Sequence, residues 1–251
     1  MQATVSPVFD HVTIRAAERT SSERFYRTVL GAMEVAPTCA GEDVIEWDDF
    51  SILAADDRAP PTRHLHVGFV ARTHEHVDAF WRAGVDHGYR DDGRPGERAQ
   101  YRPDYYGAFL LDPDGNSAEA VYHGDTRRGG HIDHLWIGVR DLAAATAFYK
   151  LIARHTGLRD GRRWDAGVQF RGAWGTFSLV GDGRPATENL HIAFPAPDRE
   201  TVDEFHRAAT DAGFPSNGPP GERPAYHPGY YGAYVLDSDG NNIESVFHTA
   251  R

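Results

Sequence analysis

Short β-branched runs alternate with amphipathic stretches of helical period along the chain. FDHVTI at 9–14 has strand character, and Ser21–Met33 (SSERFYRTVLGAM) spaces Phe25, Val29 and Met33 four residues apart behind a serine that can cap a helix. Val44–Trp47 and Phe50–Ala54 predict two more strands. HLHVGFVA, from His64, opens a second unit, with a helix across Glu75–Ala83 carrying Val77, Phe80 and Trp81. A hairpin over Ala108–Tyr122 then turns at DPDGN. The same order returns with helices around Ala143–Ile152 and Thr201–Ala212 and a DSDGN turn. The pattern predicts an α+β fold of four β-α-β-β-β units in tandem.

The return is literal. Gly93–His123 (GRPGERAQYRPDYYGAFLLDPDGNSAEAVYH) and Gly218–His248 (GPPGERPAYHPGYYGAYVLDSDGNNIESVFH) share 19 of 31 ungapped positions, which is the signature of duplication. FDHVTI recurs as IDHLWI at Ile132–Ile137, and HLHVGF at His64–Phe69 as NLHIAF at Asn189–Phe194. A polar, glycine-containing stretch, GDTRRGG at Gly124–Gly130, has linker composition. It places two domains at 1–126 and 127–251.

Composition narrows the function. With 26 basic against 37 acidic side chains the net charge is −11, a field that repels nucleic-acid backbones and anionic lipid. The single cysteine, Cys39, forms no intramolecular disulfide, and the N-terminal MQATVSPVFDHV lacks a basic-then-apolar leader pattern. No apolar run approaches the roughly 18 residues that span a bilayer. A cytoplasmic protein with a small-molecule partner is expected, as a monomer with internal pseudo-dimer symmetry or as a homodimer.

FDHV and IDHL ahead of a helix containing FY, then PGER, YYGAF or YYGAY, DPDGN or DSDGN, and the glutamate of AEAV or IESV, resemble the vicinal oxygen chelate superfamily of glyoxalases, bleomycin-resistance proteins and ring-cleaving dioxygenases. The resemblance covers nearly the whole chain, once per half. It implies paired βαβββ modules whose curved mixed sheets enclose a cleft, commonly with a divalent metal at its base.

Three strand positions recur with metal-ligand chemistry: His11 with His134, His66 with His191, and Glu119 with Glu244. Two imidazoles and a carboxylate are the donor set that leaves open positions on Fe(II), the favoured metal, and that also accepts Mn(II), Ni(II) or Zn(II). The resemblance implies that His66 stays with Glu119 and His191 with Glu244. Whether His11 or His134 completes each set depends on whether modules pair within a half or exchange. A strand histidine beside an aspartate, as at Asp10–His11 and Asp133–His134, also suits a structural hydrogen bond. A buried glutamate needs a cation or donors in either case.

Glyoxalase I resembles this pattern but adds a carboxylate on the fourth strand, where this chain has Ser51 and Ser178 in FSIL and FSLV. Fosfomycin-resistance enzymes use a lysine near the substrate, and the sole lysine here, Lys150, falls on a predicted helix. Both activities are disfavoured. Arg98 and Arg223 of PGER could grip a substrate carboxylate, or pair with Glu97 and Glu222. Tyr106 and Tyr231 could bind an aromatic substrate, and Tyr101, Tyr226, His123 and His248 are candidate catalytic side chains; Tyr105 and Tyr230 suit stacking or packing. His123 and His248 lie four residues beyond each glutamate, on the same strand face. His227 stands where the first half has Arg102, so the two halves are not chemically equal. The residues point to a metal-dependent enzyme with ring-cleavage-like dioxygenase chemistry. The alternatives are metal-dependent isomerase or lyase chemistry, and a metal-free drug-binding protein.

Overall fold

The computed structural model describes residues 8–124 and 129–249. The chain runs β1 (His11–Ala16), α1 (Arg19–Gly31), β2 (Cys39–Ala40), β3 (Val44–Trp47) and β4 (Phe50–Ala54), then β5 (Leu65–Val70), α2 (His74–Asp86), β6 (Arg90–Glu97), β7 (Tyr106–Leu111) and β8 (Ser117–Tyr122). The second repeat supplies β9 (Ile132–Gly138), α3 (Leu142–Thr156), β10 (Arg159–Trp164), β11 (Gly167–Arg171) and β12 (Thr176–Val180), then β13 (His191–Pro195), α4 (Arg199–Asp211), β14 (Ser216–Glu222), β15 (Tyr230–Leu236) and β16 (Asn242–His248). Four β-α-β-β-β modules are therefore present, as the periodicity predicts.

Helix starts follow local capping chemistry. Thr73, Asp141 and Asp198 each accept a first-turn N–H through the side chain and so cap α2, α3 and α4. In α1 the expected cap, Ser21, instead lies inside the first turn, because the helix begins at Arg19 after an uncapping Glu18. Its neighbour Ser22 is buried, and Phe25, Tyr26, Val29 and Leu30 fill the inner face.

The strands form two eight-stranded mixed sheets, ordered β14-β15-β16-β13-β1-β4-β3-β2 and β10-β11-β12-β9-β5-β8-β7-β6. In the second module the last strand, β8, runs parallel to the first, β5, and antiparallel to β7, and β13, β15 and β16 repeat that arrangement. The glycine- and proline-containing strands β6 and β14 lie at sheet edges and carry register shifts. An edge strand tolerates a residue that cannot donate to the ladder. By packing, the chain divides into two compact units, Thr13–Trp136 and Met1–Val12 with Ile137–Arg251. These cuts fall in the opening strand of each repeat rather than at the repeat boundary, and residues 125–128 of the expected linker lie outside the described residues.

Each unit has an aromatic core. In one, Tyr26 meets Trp47, Phe50 and Phe69; in the other, Tyr149 meets Phe170 and Phe177, and Phe9 meets Phe177 and Phe194. The DxDGN turns are tied to these cores. Asp112 Oδ1 accepts the N–H groups of Asp114 and Asn116, while its Oδ2 accepts the Tyr26 hydroxyl at 3.1 Å and the Asn116 amide at 3.0 Å. Asn116 Oδ1 in turn accepts the N–H of Leu65 at the head of β5. Asp237, Tyr149, Asn241 and Leu190 repeat the network. The helix tyrosine and the hairpin turn thus form one structural device that aims β5 and the copied strand β13.

Removing the turn carboxylate leaves buried donors without an acceptor. Asp112→Ala is expected to cost about 3 kcal/mol and Tyr26→Phe about 1 kcal/mol in denaturant unfolding. Divalent-metal stoichiometry should remain unchanged in folded Tyr26→Phe.

Candidate metal centres

Glu119 lies on β8 opposite Gly68 of β5, and the parallel register sets His66 of β5 two residues before that point. The Glu119 side chain is 1% exposed. Its Oε1 accepts the Tyr105 hydroxyl at 2.7 Å, which leaves Oε2 to face two imidazoles. His66 Nε2 stands 3.1 Å and His134 Nε2 3.2 Å from Oε2, and the two nitrogens are 3.1 Å apart. The copy gathers Glu244, His191 and His11. Tyr230 holds Glu244 Oε1 at 2.7 Å, and Oε2 lies 3.2 Å from His191 Nε2 and 3.6 Å from His11 Nε2. The His11 and His191 nitrogens are 3.1 Å apart.

The modules therefore exchange: His134 joins His66 and Glu119, and His11 joins His191 and Glu244. Each triad lies within one compact unit. The YYG motif explains itself here. A Cβ at Gly107 or Gly232 would approach the glutamate Oε1 to 2.5 Å, so only glycine lets the carboxylate lie against β7 or β15. Gly68 serves its triad similarly, since a Cβ there would meet the His134 ring at 2.3 Å. In the copy Ala193 holds that place, opposite Glu244. His11 is correspondingly more open, its side chain 24% exposed against 6% for His134.

The ring nitrogens away from each triad fix the ring orientations. Asp133 Oδ2 accepts from His134 Nδ1 at 2.9 Å, and Asp10 Oδ1 accepts from His11 Nδ1 at 2.8 Å, so that both Nε2 atoms are directed into the triads. Ser117 donates to Asp92 and so presents its oxygen to His66 Nδ1 at 3.2 Å. In the copy Asn242, linked to Asn217, contacts His191 Nδ1.

Electrostatics agree with this arrangement. Burial works against charge on His134, but its hydrogen bonds to Asp133 and Glu119 win and raise its pKa to about 9. Burial would raise Glu119, yet the hydrogen bonds from His134 and His66 hold its pKa below the ordinary value. Burial lowers His66 against the pull of Glu119. For Asp10, the hydrogen bonds to His11 and His248 outweigh burial and keep the carboxyl acidic. A proton on His134 thus balances buried carboxylates.

The donor set fits such a cation. Glu244 Oε2 is buried without a hydrogen-bond partner although two imidazole nitrogens face it. Metal–ligand distances of about 2.1 Å at right angles make ligand–ligand edges of roughly 3.0 Å, close to all three edges of the first triad and to two of the three in the second, where the His11–Glu244 edge is 3.6 Å.

Other expected site residues are placed differently. His123 and His248 stand behind the ligands: His123 Nε2 bonds Asp133 Oδ1 at 2.7 Å, and His248 Nε2 bonds Asp10 Oδ2 at 3.0 Å. An aspartate stands between each of them and its triad, so each supports a candidate ligand histidine rather than facing the triad. Tyr106 and Tyr231 point their hydroxyls to Asp78 on α2 and Asp203 on α4, because adjacent strand residues take opposite faces, and they serve helix packing. Arg98 and Arg223 fold back onto the carbonyls of Arg94 and Pro219 and lie over Phe109 and Tyr234. They pair with neither Glu97 nor Glu222 through the carboxylate; Glu222 pairs with Arg199. Tyr101 and Tyr226, 39% and 65% exposed, sit beside Tyr105 and Tyr230 at ring separations of 5.1 and 4.9 Å. Trp136, absent from the sequence expectations, lies 5.9 Å from the His66 ring and 5.8 Å from Tyr101. Its position two residues beyond His134 was the available signal, but in the first repeat that position is Thr13, so the repeat comparison did not single it out. Ser51, in place of a fourth-strand carboxylate, bonds Thr13 at 2.7 Å.

A family model described as the Glyoxalase/Bleomycin resistance protein/Dioxygenase superfamily matches residues 8–120 and again 131–245. No curated protein matches the sequence. Among solved structures, glyoxalase I from Zea mays superposes with a TM-score of 0.66 at 15% identity, covering 95% of this chain and 92% of that one. A putative dioxygenase from Bacillus subtilis subsp. subtilis str. 168 gives 0.64 at 16% identity, covering 96% and 85%. At these identities the likeness is one of fold.

The contrast between Gly68 and Ala193 generates a test. Gly68→Ala is expected to push His134 aside and weaken Zn(II) binding at its triad by about tenfold or more. Ala193→Gly should tighten the other triad. Competition with a chromophoric chelator measures both.

Proposed function

From the premise that this chain belongs to the Glyoxalase/Bleomycin resistance protein/Dioxygenase superfamily, we propose that it is a divalent-metal-dependent enzyme acting on a small oxygen-rich or aromatic molecule, with ring-cleavage-like dioxygenase chemistry. The observation that carries this reading is the orphaned Oε2 of Glu244, buried and aimed between two imidazoles in a triad that the chain builds twice. His66, Glu119 and His134 hold one ion, and His191, Glu244 and His11 a second; Fe(II) suits the set, and Mn(II), Ni(II) or Zn(II) are accepted. When bound, the ion supplies Lewis acidity toward substrate oxygens, with positions left open by a three-residue set.

The chain's own residues do the rest. Tyr105 and Tyr230 hold each glutamate by one oxygen so that the other is turned toward the two imidazoles. Asp133 and Asp10 keep the imidazoles turned inward. Tyr101 and Trp136 form an aromatic wall beside the first triad against which a planar substrate stacks, and Tyr226 offers an exposed ring beside the second. The repeats 1–126 and 127–251 are proposed as the two domains, in a cytoplasmic protein that works as a pseudo-symmetric monomer or a homodimer. No helix among the described residues is long and apolar enough to cross a membrane.

Metal analysis of protein purified without chelator tests the reading. Close to two divalent ions per chain are expected, with Glu119→Ala and Glu244→Ala each removing one. Metal at background in the parent protein would overturn the proposal. Dioxygen consumption with oxygen-rich aromatic substrates is expected of the Fe(II) form; turnover without dioxygen uptake would instead assign isomerase or lyase chemistry.

A further inference from the structure

The groups behind the outer nitrogens of His66 and His191 differ in charge between the repeats. His66 faces Ser117 across the parallel ladder of β5 and β8, and His191 faces Asn242 across that of β13 and β16. Ser117 Oγ stands 3.2 Å from His66 Nδ1 and donates to Asp92 at 2.8 Å. In the copy Asn242 Nδ2 stands 2.8 Å from His191 Nδ1, and Asn242 Oδ1 accepts from Asn217 at 2.9 Å. One relay therefore ends on a carboxylate and the other on an amide. Asp92 is the extra residue where β6 steps from Asp91 to Gly93 against Leu110 and Phe109 of β7. Asn217 is its equivalent where β14 steps from Ser216 to Gly218 against Val235 and Tyr234 of β15. A bulge re-aims the side chain it carries, and here it aims both at the first residue of β8 or β16.

An imidazole that gives its Nε2 lone pair to a cation keeps its proton on Nδ1, and that proton needs an acceptor behind the triad. Ser117 supplies one, because a carboxylate only accepts: Asp92 draws the hydroxyl proton and leaves the Ser117 oxygen toward the ring. The amide pair has no such fixed direction. Asn242 turns Nδ2 toward His191, and the two amides must both reverse before Asn242 can accept from the ring. Asp92 also adds a negative charge that Asn217 lacks. The neighbouring cations do not offset it. Arg98 and Arg223 lie alike over Phe109 and Tyr234, and Arg102, where the copy has His227, pairs with Asp104 at 2.7 Å, where the copy has Gly229.

We propose that Asp92 and Asn217 are positioning residues that rank the two centres. Asp92, acting through Ser117, makes His66 the stronger donor, and the neutral Asn217–Asn242 pair leaves His191 the weaker, so a divalent ion occupies the first triad before the second. The ranking rests on the triads being metal sites. It runs in the same direction as the edges of the triads, which are 3.1, 3.1 and 3.2 Å in the first and 3.1, 3.2 and 3.6 Å in the second. The chain then keeps one resident ion and a second that exchanges more readily.

Zn(II) competition against a chromophoric chelator, on the whole chain at one fixed pH, tests the ranking. Two steps about tenfold apart are expected, the tighter lost in Glu119→Ala and the weaker in Glu244→Ala. Should either variant fail to fold, Co(II) makes the assignment: its first equivalent should quench Trp136, whose ring lies 5.9 Å from that of His66, and a Trp136→Phe chain supplies the blank. Asp92→Asn is expected to weaken the tighter step about tenfold and leave the other unchanged. Asn217→Asp gives Asn242 Nδ2 an acceptor that cannot reverse and turns Oδ1 to His191, so the weaker step should tighten severalfold. Both residues are exposed, and melting of the metal-free chain should move with neither substitution, whereas a merely structural role would show there. In a Ser117→Ala chain, Asp92→Asn should have little further effect. A second triad that fills first or equally, or steps unmoved by both substitutions, overturns the ranking and leaves the metal reading intact. An Asp92→Asn effect undiminished in Ser117→Ala overturns the relay. Zn(II) bound at neither triad removes the functional reading and the ranking with it.

Discussion

A carboxylate buried to 1% exposure must be neutralised or coordinated, and both halves of this chain are organised around one. Glu119 and Glu244 spend one oxygen on a tyrosine hydroxyl and turn the other toward two imidazoles. The requirement propagates outward. Glycines at 107 and 232 make room for the carboxylates, aspartates at 133 and 10 turn the imidazoles, and histidines at 123 and 248 hold the aspartates. Each step satisfies a polar group that burial would otherwise penalise.

Duplication has kept this organisation while loosening one copy. Ala193 for Gly68 adds a methyl group where the other triad admits an imidazole ring, and the edge between His11 and Glu244 is 3.6 Å where its counterpart is 3.2 Å. Thr13 stands where the other strand has Trp136, and His227 where the first repeat has Arg102. Packing, aromatic surroundings and charge all diverge, so the two centres share a donor set without sharing an environment.

Much of the site was legible because duplication doubled each signal. Residues that recur at matching positions in a dissimilar background, such as His66 with His191, stand out as a set. The same doubling misled for Tyr106 and Tyr231, which recur because they anchor helices through Asp78 and Asp203. Recurrence reports constraint of either kind, and only the strand face a side chain occupies tells them apart. The DxDGN motif read as a turn; its hydrogen bonds to Tyr26 and Tyr149 join residues 86 and 88 positions apart and leave no local pattern.

The sequence by itself determined the four modules, the duplication and the six candidate donors, since hydrophobic period, turn chemistry and repeated residues are local properties of the chain. Tertiary structure decided which donors meet. A parallel or antiparallel ladder joins backbone groups that are the same in every residue, so β1 could hydrogen-bond with strands of either half without changing its sequence pattern. Pairing across the repeats brings His11 to Glu244 and His134 to Glu119. It also decided that His123 and His248 act through aspartates, because a spacing of four residues fixes a strand face but not what stands between two side chains on it.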